Sequence, residues 1–306
     1  MILLSILLVL CGTAASIDTW CGKAYRSSDP SFEPGGRLKK PRSSPYPVLN
    51  LQIQPRMHPY LEEDGSGAFI INALVSGIDR NTSDNILIGQ QEDTNFNLYS
   101  YNQDSNYLFF DIYRTDTNDH IAGPGVVSIN STGTTVGFSL AIFAPSFEPY
   151  SIHLVASGAT GRPYTASTQF LRLPERTDGG SVTKIDNLFG ALIVKDVDRS
   201  WKPLFPYSFY LNGNWLAESQ DNMAILKALG YNVLHIVPAG GLGYNFTQLD
   251  EWIDEAQRLG LWLMYDMRGT YQNSSLVEWQ VDFLRSRPNL LLWYTADEPG
   301  MSIIGF

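Results

Sequence analysis

From Trp201 onward the chain alternates an apolar strand with an amphipathic helix, at intervals of roughly thirty residues, the length of one βα unit. Few folds accept that period. Tyr207–Leu211 reads as the first strand. Ser219 is placed to cap a helix carrying Met223, Leu226 and Leu229, which Gly230 stops. Asn232–Val237 is the second strand. Thr247 is expected to cap a helix with Leu249, Trp252, Ile253, Ala256 and Leu259 on one face. Those positions step by three and four, as a core-facing stripe requires. Gly260 ends that helix and Leu261–Tyr265 is the third strand. Ser275 with Glu278 spells a capping box before the stripe Val277, Val281 and Leu284. Arg287-Pro288 closes this helix, and Leu290–Tyr294 is the fourth strand.

Strands joined through helices run parallel. Two architectures share the pattern, the doubly wound sheet and the (β/α)₈ barrel. A dinucleotide-binding sheet carries its glycine fingerprint after the first strand. Here that turn is Asn212-Gly213-Asn214-Trp215. The glycine-rich run, Ala239-Gly240-Gly241-Leu242-Gly243, follows the second strand instead and reads as a loop. The expectation is a partial TIM barrel of about four βα units over residues 201–306.

Upstream the grammar is different. Residues 46–200 hold short runs rich in Val, Ile, Phe and Tyr, separated by Gly, Asn, Asp and Ser clusters. The runs are Ala68–Val75, Asn97–Tyr101, Tyr107–Tyr113, Val126–Ile129, Gly137–Phe143, Ser151–Val155, Ser167–Leu171 and Leu192–Val194. No helical stripe intervenes, so a β-sandwich is expected. Residues 17–45, rich in Pro, Gly, Ser and basic residues, read as an extended arm. Residues 1–16 read as a secretory signal peptide, with an apolar Ile2–Leu10 and small residues at Thr13–Ser16. The apolar run is well short of the ~20 residues a membrane span needs. Sequons at Asn81, Asn130, Asn245 and Asn273 agree with a secreted glycoprotein. Cys11 leaves with the signal and Cys21 remains as a lone cysteine. A formal charge of −10 argues against nucleic acid or an anionic membrane as partner and suits a neutral ligand. Oligomeric state is not legible.

In a barrel, chemistry sits at the C-terminal ends of the strands. Polar groups collect there after every strand: Asn214 and Trp215, then His235, then Asp266 and Arg268, then Asp297 and Glu298. Each also has a plain structural use. His235 lies in an apolar strand as core histidines do, Asp266 can pair with Arg268, and an Asp-Glu-Pro is often an exposed turn. Cleaving a glycosidic bond needs two carboxyl groups, one to protonate the leaving oxygen and one to attack or activate water. Glu298 suits the donor, with Arg268 orienting a carboxylate or hydroxyl and Trp215 or Trp293 offering a stacking face.

The segment Leu204–Pro299, ending in Asp297-Glu298-Pro299, resembles the first half of the catalytic barrel of secreted, fungal-type retaining glycoside hydrolases. The sandwich-then-barrel order is similar to that of the β-galactosidase and β-glucuronidase type. The resemblance implies that Glu298 is the general acid/base. It also implies a departure, because Asp297 stands where the family has the asparagine that holds the substrate's 2-hydroxyl. The family's nucleophile, a glutamate ending the seventh strand, has no counterpart here. The expectation is therefore a glycoside hydrolase-like protein acting on a neutral glycan in its intact form, with this chain an inactive, C-terminally truncated fragment. A second reading is a non-catalytic carbohydrate-binding or cell-wall protein whose sandwich does the work. A third is a metal-dependent barrel using His235, Asp266, Asp297 and Glu298, but no His-x-x-x-His spacing supports it. No cofactor and no metal are expected.

Overall fold

A computed structural model describes residues 19–20, 23–24, 28, 30, 42–79, 106–158, 161, 163–195, 200–219, 221–237 and 246–295. The chain forms two compact units, residues 1–37 with 297–306, and residues 38–296. In the first, β1 (Thr19–Trp20) pairs antiparallel with β2 (Lys23–Ala24).

The second unit opens with β3 (Arg42–Pro55), the short β4 (Met57–His58) and β5 (Tyr60–Leu61), and β6 (Ser66–Asp79). β7 (Tyr107–Arg114), β8 (His120–Ser128) and β9 (Ser131–Ser139) follow, then a 3-10 turn at Leu140–Ile142. β10 (Tyr150–Ser157), β11 (Pro163–Phe170) and β12 (Arg172–Leu173) complete this region. Two antiparallel sheets result, of order β3-β6-β9 and β11-β10-β7-β8. Strict alternation along the strands turns Leu49, Leu51, Ile53, Phe69, Ile71, Leu108, Phe110, Ile112, Ile152 and Leu154 into one shared core. Rings finish it: Phe69 stacks on Phe138 at 4.3 Å, and Phe143 meets Phe170 edge-on at 4.9 Å. The predominance of β-strand here agrees with the sequence reading. The expected strand Asn97–Tyr101 lies outside the described residues.

β3 is not among the strands named from the sequence: it starts inside the supposed arm, at Arg42, and runs on into the region expected to be β. Its pairing with β6 shifts register between Ser43 and Val48, across Pro45 and Pro47, which have no N–H to donate. A further antiparallel sheet, β15-β14-β13-β4, follows: β13 (Thr183–Asp186), β14 (Ala191–Lys195) and β15 (Trp201–Leu204). The expected border after residue 200 thus falls at the start of a strand of this sheet. Partly buried ion pairs bind it to the first region. The Lys184 ammonium sits 2.7 Å from Asp64 and 4.0 Å from the centre of the Trp201 ring, and Arg56 reaches Asp186 at 3.3 Å.

β16 (Tyr210–Asn212) begins the alternating region. It runs directly into α1 (Gly213–Glu218) and α2 (Asn222–Ala228), then β17 (Val233–Val237) and α3 (Phe246–Arg258). β18 (Trp262–Asp266), α4 (Ser274–Leu284) and β19 (Leu290–Tyr294) follow. The four strands are parallel, in the order β16-β17-β18-β19. All four helices pack on one face, over Leu211, Leu234, Ile236, Leu263, Tyr265 and Leu290. The other face, through Val233, Trp262, Met264, Leu291 and Leu292, packs on Val194 and Leu204 of β14 and β15. Among the described residues this is an open sheet and no closed barrel is formed. The whole is mostly β-strand, in several sheets, with few helices.

Three expected helix starts are corrected. α4 is capped by Asn273, whose side chain accepts from the Leu276 amide at 3.1 Å, so Ser275 and Glu278 do not form the capping box. Asn and Ser cap about equally well, and Asn273, two residues before Ser275, is the one whose extended backbone puts it at the cap, so the helix already runs from Ser274. Thr247 lies inside α3, which begins at Phe246. Ser219 closes α1, and α2 starts after Asp221.

Candidate functional site

In the parallel sheet, the side chains that point away from the helices change character along the strands. At the N-terminal ends they are apolar and covered by β14 and β15. At the C-terminal ends stand Tyr210 on β16, His235 on β17, Asp266 on β18 and Tyr294 on β19. Register makes this set: Tyr210 pairs with His235, and Asp266 pairs with Tyr294. Arg268, two residues past β18, folds back over them.

Asp266 is the hub. Its side chain is fully buried (0% exposed) and that of His235 nearly so (7%). Asp266 Oδ2 accepts from His235 Nε2 at 2.9 Å and from Arg268 Nε at 2.8 Å, while Oδ1 accepts from the Arg268 amide at 2.8 Å. Burial pushes the Asp266 carboxyl up, but the hydrogen bonds from His235 and Arg268 outweigh it and hold it below its ordinary value. An ionised carboxylate only accepts, so Nε2 of His235 carries the proton it donates. The His235 ring lies between two tyrosines, with centroids 4.8 Å from Tyr210 and 4.8 Å from Tyr294. The two phenol oxygens are 3.2 Å apart. The Arg268 guanidinium carbon is 5.1 Å from the Tyr210 ring centre and 5.4 Å from that of Tyr294, within cation–π range. Tyr210 is half exposed, so the cluster reaches the surface through its rings and guanidinium.

Of the residues singled out in the sequence, the fold brings His235, Asp266 and Arg268 together. It missed Tyr210 and Tyr294, which read as ordinary strand aromatics. Asn214 and Trp215 are not in the cluster. Asn212 accepts from the Asn214 amide at 2.9 Å and starts α1 there, leaving Asn214 exposed and Trp215 packed on the helix-side core. Trp293 also faces the helices, edge-on to Tyr265 at 5.9 Å. Asp297 and Glu298 lie outside the described residues, as do Asn81, Asn245 and the loop 239–243. Of the other sequons, Asn130 is an exposed turn residue at φ 65 and Asn273 is the exposed cap of α4.

Among the described residues no group of three or more His, Cys, Asp or Glu side chains is arranged to hold a metal ion, and no helix is long and apolar enough to cross a membrane. A cleft of about 920 Å³ lies away from the cluster, between residues 173–183 and β19, and includes Phe147, Leu192 and Leu292 in its lining. Its surroundings are largely apolar and bring together no buried ionised group. The strand-end cluster is the better candidate for polar chemistry.

No protein-family profile matches the chain. No curated protein matches it either. Among solved structures, it has a distant likeness to a protein from Bacteroides vulgatus ATCC 8482 named as a glycoside hydrolase. That match is 13% identical, with a TM-score of 0.27, over 71% of this chain and 49% of that one. A second is a glycosyl hydrolase family 2 member from Bacteroides cellulosilyticus, 11% identical with a TM-score of 0.22, over 79% of this chain and 29% of that one. The chain spans about half the length of the first and less than a third of the second.

Proposed function

We propose that this is a glycoside hydrolase-like protein whose strand-end cluster recognises a neutral glycan, on the first half of a (β/α)₈-type barrel. The observation that carries the reading is the Tyr210–His235–Asp266–Arg268–Tyr294 cluster at the C-terminal ends of four parallel strands. The sequential strand order and the single helix-covered face support the barrel type. Right-handed crossovers that always step in one direction put every helix on one side, whereas a doubly wound sheet reverses and covers both.

The chemistry of the cluster suits recognition. Its formal charges, Asp266 and Arg268, cancel, leaving phenol, imidazole and guanidinium edges for hydroxyl groups and ring faces for C–H surfaces. Asp266 is a poor proton donor because it is held ionised, and a poor nucleophile because both oxygens are engaged. In the two-carboxylate mechanism the donor role falls to Glu298, as the family resemblance implies. Asp266 then positions His235 and Arg268. Glu298→Gln is expected to abolish aryl glycoside cleavage by the intact protein and to leave sugar binding at the cluster in place. Cleavage that persists in Glu298→Gln would overturn the donor assignment.

Calorimetric titration with soluble neutral oligosaccharides of glucose, xylose and mannose tests the recognition. Loss of a hydrogen bond to a charged group costs about 1.5–3 kcal/mol, so Arg268→Ala is expected to weaken binding roughly tenfold or more. Unchanged affinity in Arg268→Ala, or no binding of any of the three by the parent chain, would refute the reading. Secretion belongs to the same proposal, and the exposure of Asn130 and Asn273 supports glycosylation there.

A further inference from the structure

A second set of rings stands on the outward face of the β11-β10-β7-β8 sheet, away from the strand ends. β7 alternates strictly. Leu108, Phe110 and Ile112 fill the core, and Tyr107, Phe109, Asp111 and Tyr113 face out. Phe109 is 59% exposed and Tyr107 50%. Leaving a large ring on the solvent face forgoes burial worth about 2 kcal/mol, so a row of them calls for an explanation.

Register assembles polar groups around that row. Tyr113 pairs with His120 on β8 and His153 on β10, and its ring centroid is 5.4 Å from each imidazole. His120 Nε2 is 2.8 Å from Asp111 Oδ1, and Thr115 Oγ1 is 3.4 Å from His153 Nδ1. Val126 pairs with Phe109, and Ser167 with His153. Gly123 passes beside Asp111 at φ +114, and a Cβ there would come within 2.7 Å of Asp111 Oδ1. Glycine at this position keeps the carboxylate uncovered.

We propose that this sheet face binds a neutral polysaccharide. Alternate residues on a strand are about 7 Å apart, so Tyr107 and Phe109 present successive ring-sized steps, with Tyr113 two steps further on. Between and beside them stand groups that donate and groups that accept. A sugar chain needs that mixture, since each unit has an apolar C–H face and a rim of hydroxyls. Charge decides against other ligands. None of the outward-facing residues of these four strands is Lys or Arg, Asp111 lies at the centre, and the chain carries −10, so polyanions are repelled. A protein interface would favour a core depleted of charge, and here the rings are interrupted by Asp111 and two histidines.

Co-sedimentation of the full chain with cellulose, insoluble β-1,3-glucan and chitin, and gel retardation in xylan and galactomannan, test this. The expected result is retention by at least one polymer, reduced tenfold or more in Tyr107→Ser/Phe109→Ser and kept in Ser275→Ala. Phe109→Leu retains an apolar strand residue without the π face. It is expected to lose retention too, which guards against a double variant that fails to fold. Four results would overturn the proposal: no retention by any of the five polymers, retention by both ring variants equal to the parent's, rings required for self-association in sedimentation velocity but for no polymer, or loss of retention in Arg268→Ala alone, which would assign the polymer to the strand ends.

Discussion

Every group in the strand-end cluster meets Asp266 directly or through a ring that touches its partners. That makes Asp266 the residue where stability and recognition are most tightly linked. Its carboxyl is held below the unfolded value of about 3.9, so its stabilising contribution is complete above that pH and is lost as pH falls toward the folded value. Asp266→Asn leaves Arg268 and His235 without their anion, and breaking a buried pair costs on the order of 3 kcal/mol. The expected outcome is a lower melting temperature at pH 7, with the difference from the parent narrowing as the pH is lowered below about 4. A constant difference across that range would show that the carboxylate's ionisation is not what stabilises the cluster. At this scale, polar residues ending apolar strands were visible in the sequence, hence His235, Asp266 and Arg268. Tyr210 and Tyr294 were not, because a tyrosine in a strand looks the same whether it faces a core or a site. The available signal was register, since Tyr210 stands opposite His235 and Tyr294 opposite Asp266.

At the scale of elements, the stripe on α3 predicted its buried face well: Leu249, Ile253 and Ala256 are all fully buried. Ile253→Ala is expected to cost 2–5 kcal/mol, read as a drop in denaturation midpoint at unchanged slope. The cap of α4 separates two readings. Asn273→Ala should lose about 1 kcal/mol in unglycosylated protein, while Ser275→Ala should be nearly neutral. The reverse order would restore the capping box. Caps were the least legible feature because Asn273, Ser274 and Ser275 are consecutive candidates and only backbone geometry selects among them. The short strands β4, β5, β12, β13 and β15 escaped as well. Their partners lie far along the chain, as when Ile185 pairs with His58, and no local pattern records that.

At the scale of the molecule, the two-sheet core and the parallel sheet were both legible, one from period two and the other from the strand–helix interval. Their joint was not. It consists of Val194 and Leu204 packing on the parallel strands, and of Ser181 and Thr183 hydroxyls donating to the Leu290 and Leu291 carbonyls of β19. Those hydroxyls blunt the β19 edge. On the β16 side Phe205, Tyr207 and Phe209 are exposed beside the other edge of the sheet. Among the described residues no strand pairs with that edge, and an edge strand with exposed rings promotes association. Sedimentation velocity is expected to show concentration-dependent self-association that Phe205→Ser/Phe209→Ser reduces. The central claim, that a neutral sugar sits on the strand-end cluster, is tested most directly by NMR. The probe is protein labelled at tyrosine and histidine, titrated with neutral oligosaccharides of glucose, xylose and mannose. The account predicts saturable shifts of Tyr210, His235 and Tyr294 that need roughly tenfold or more sugar in Arg268→Ala. Saturable binding that leaves all three signals unmoved would contradict it.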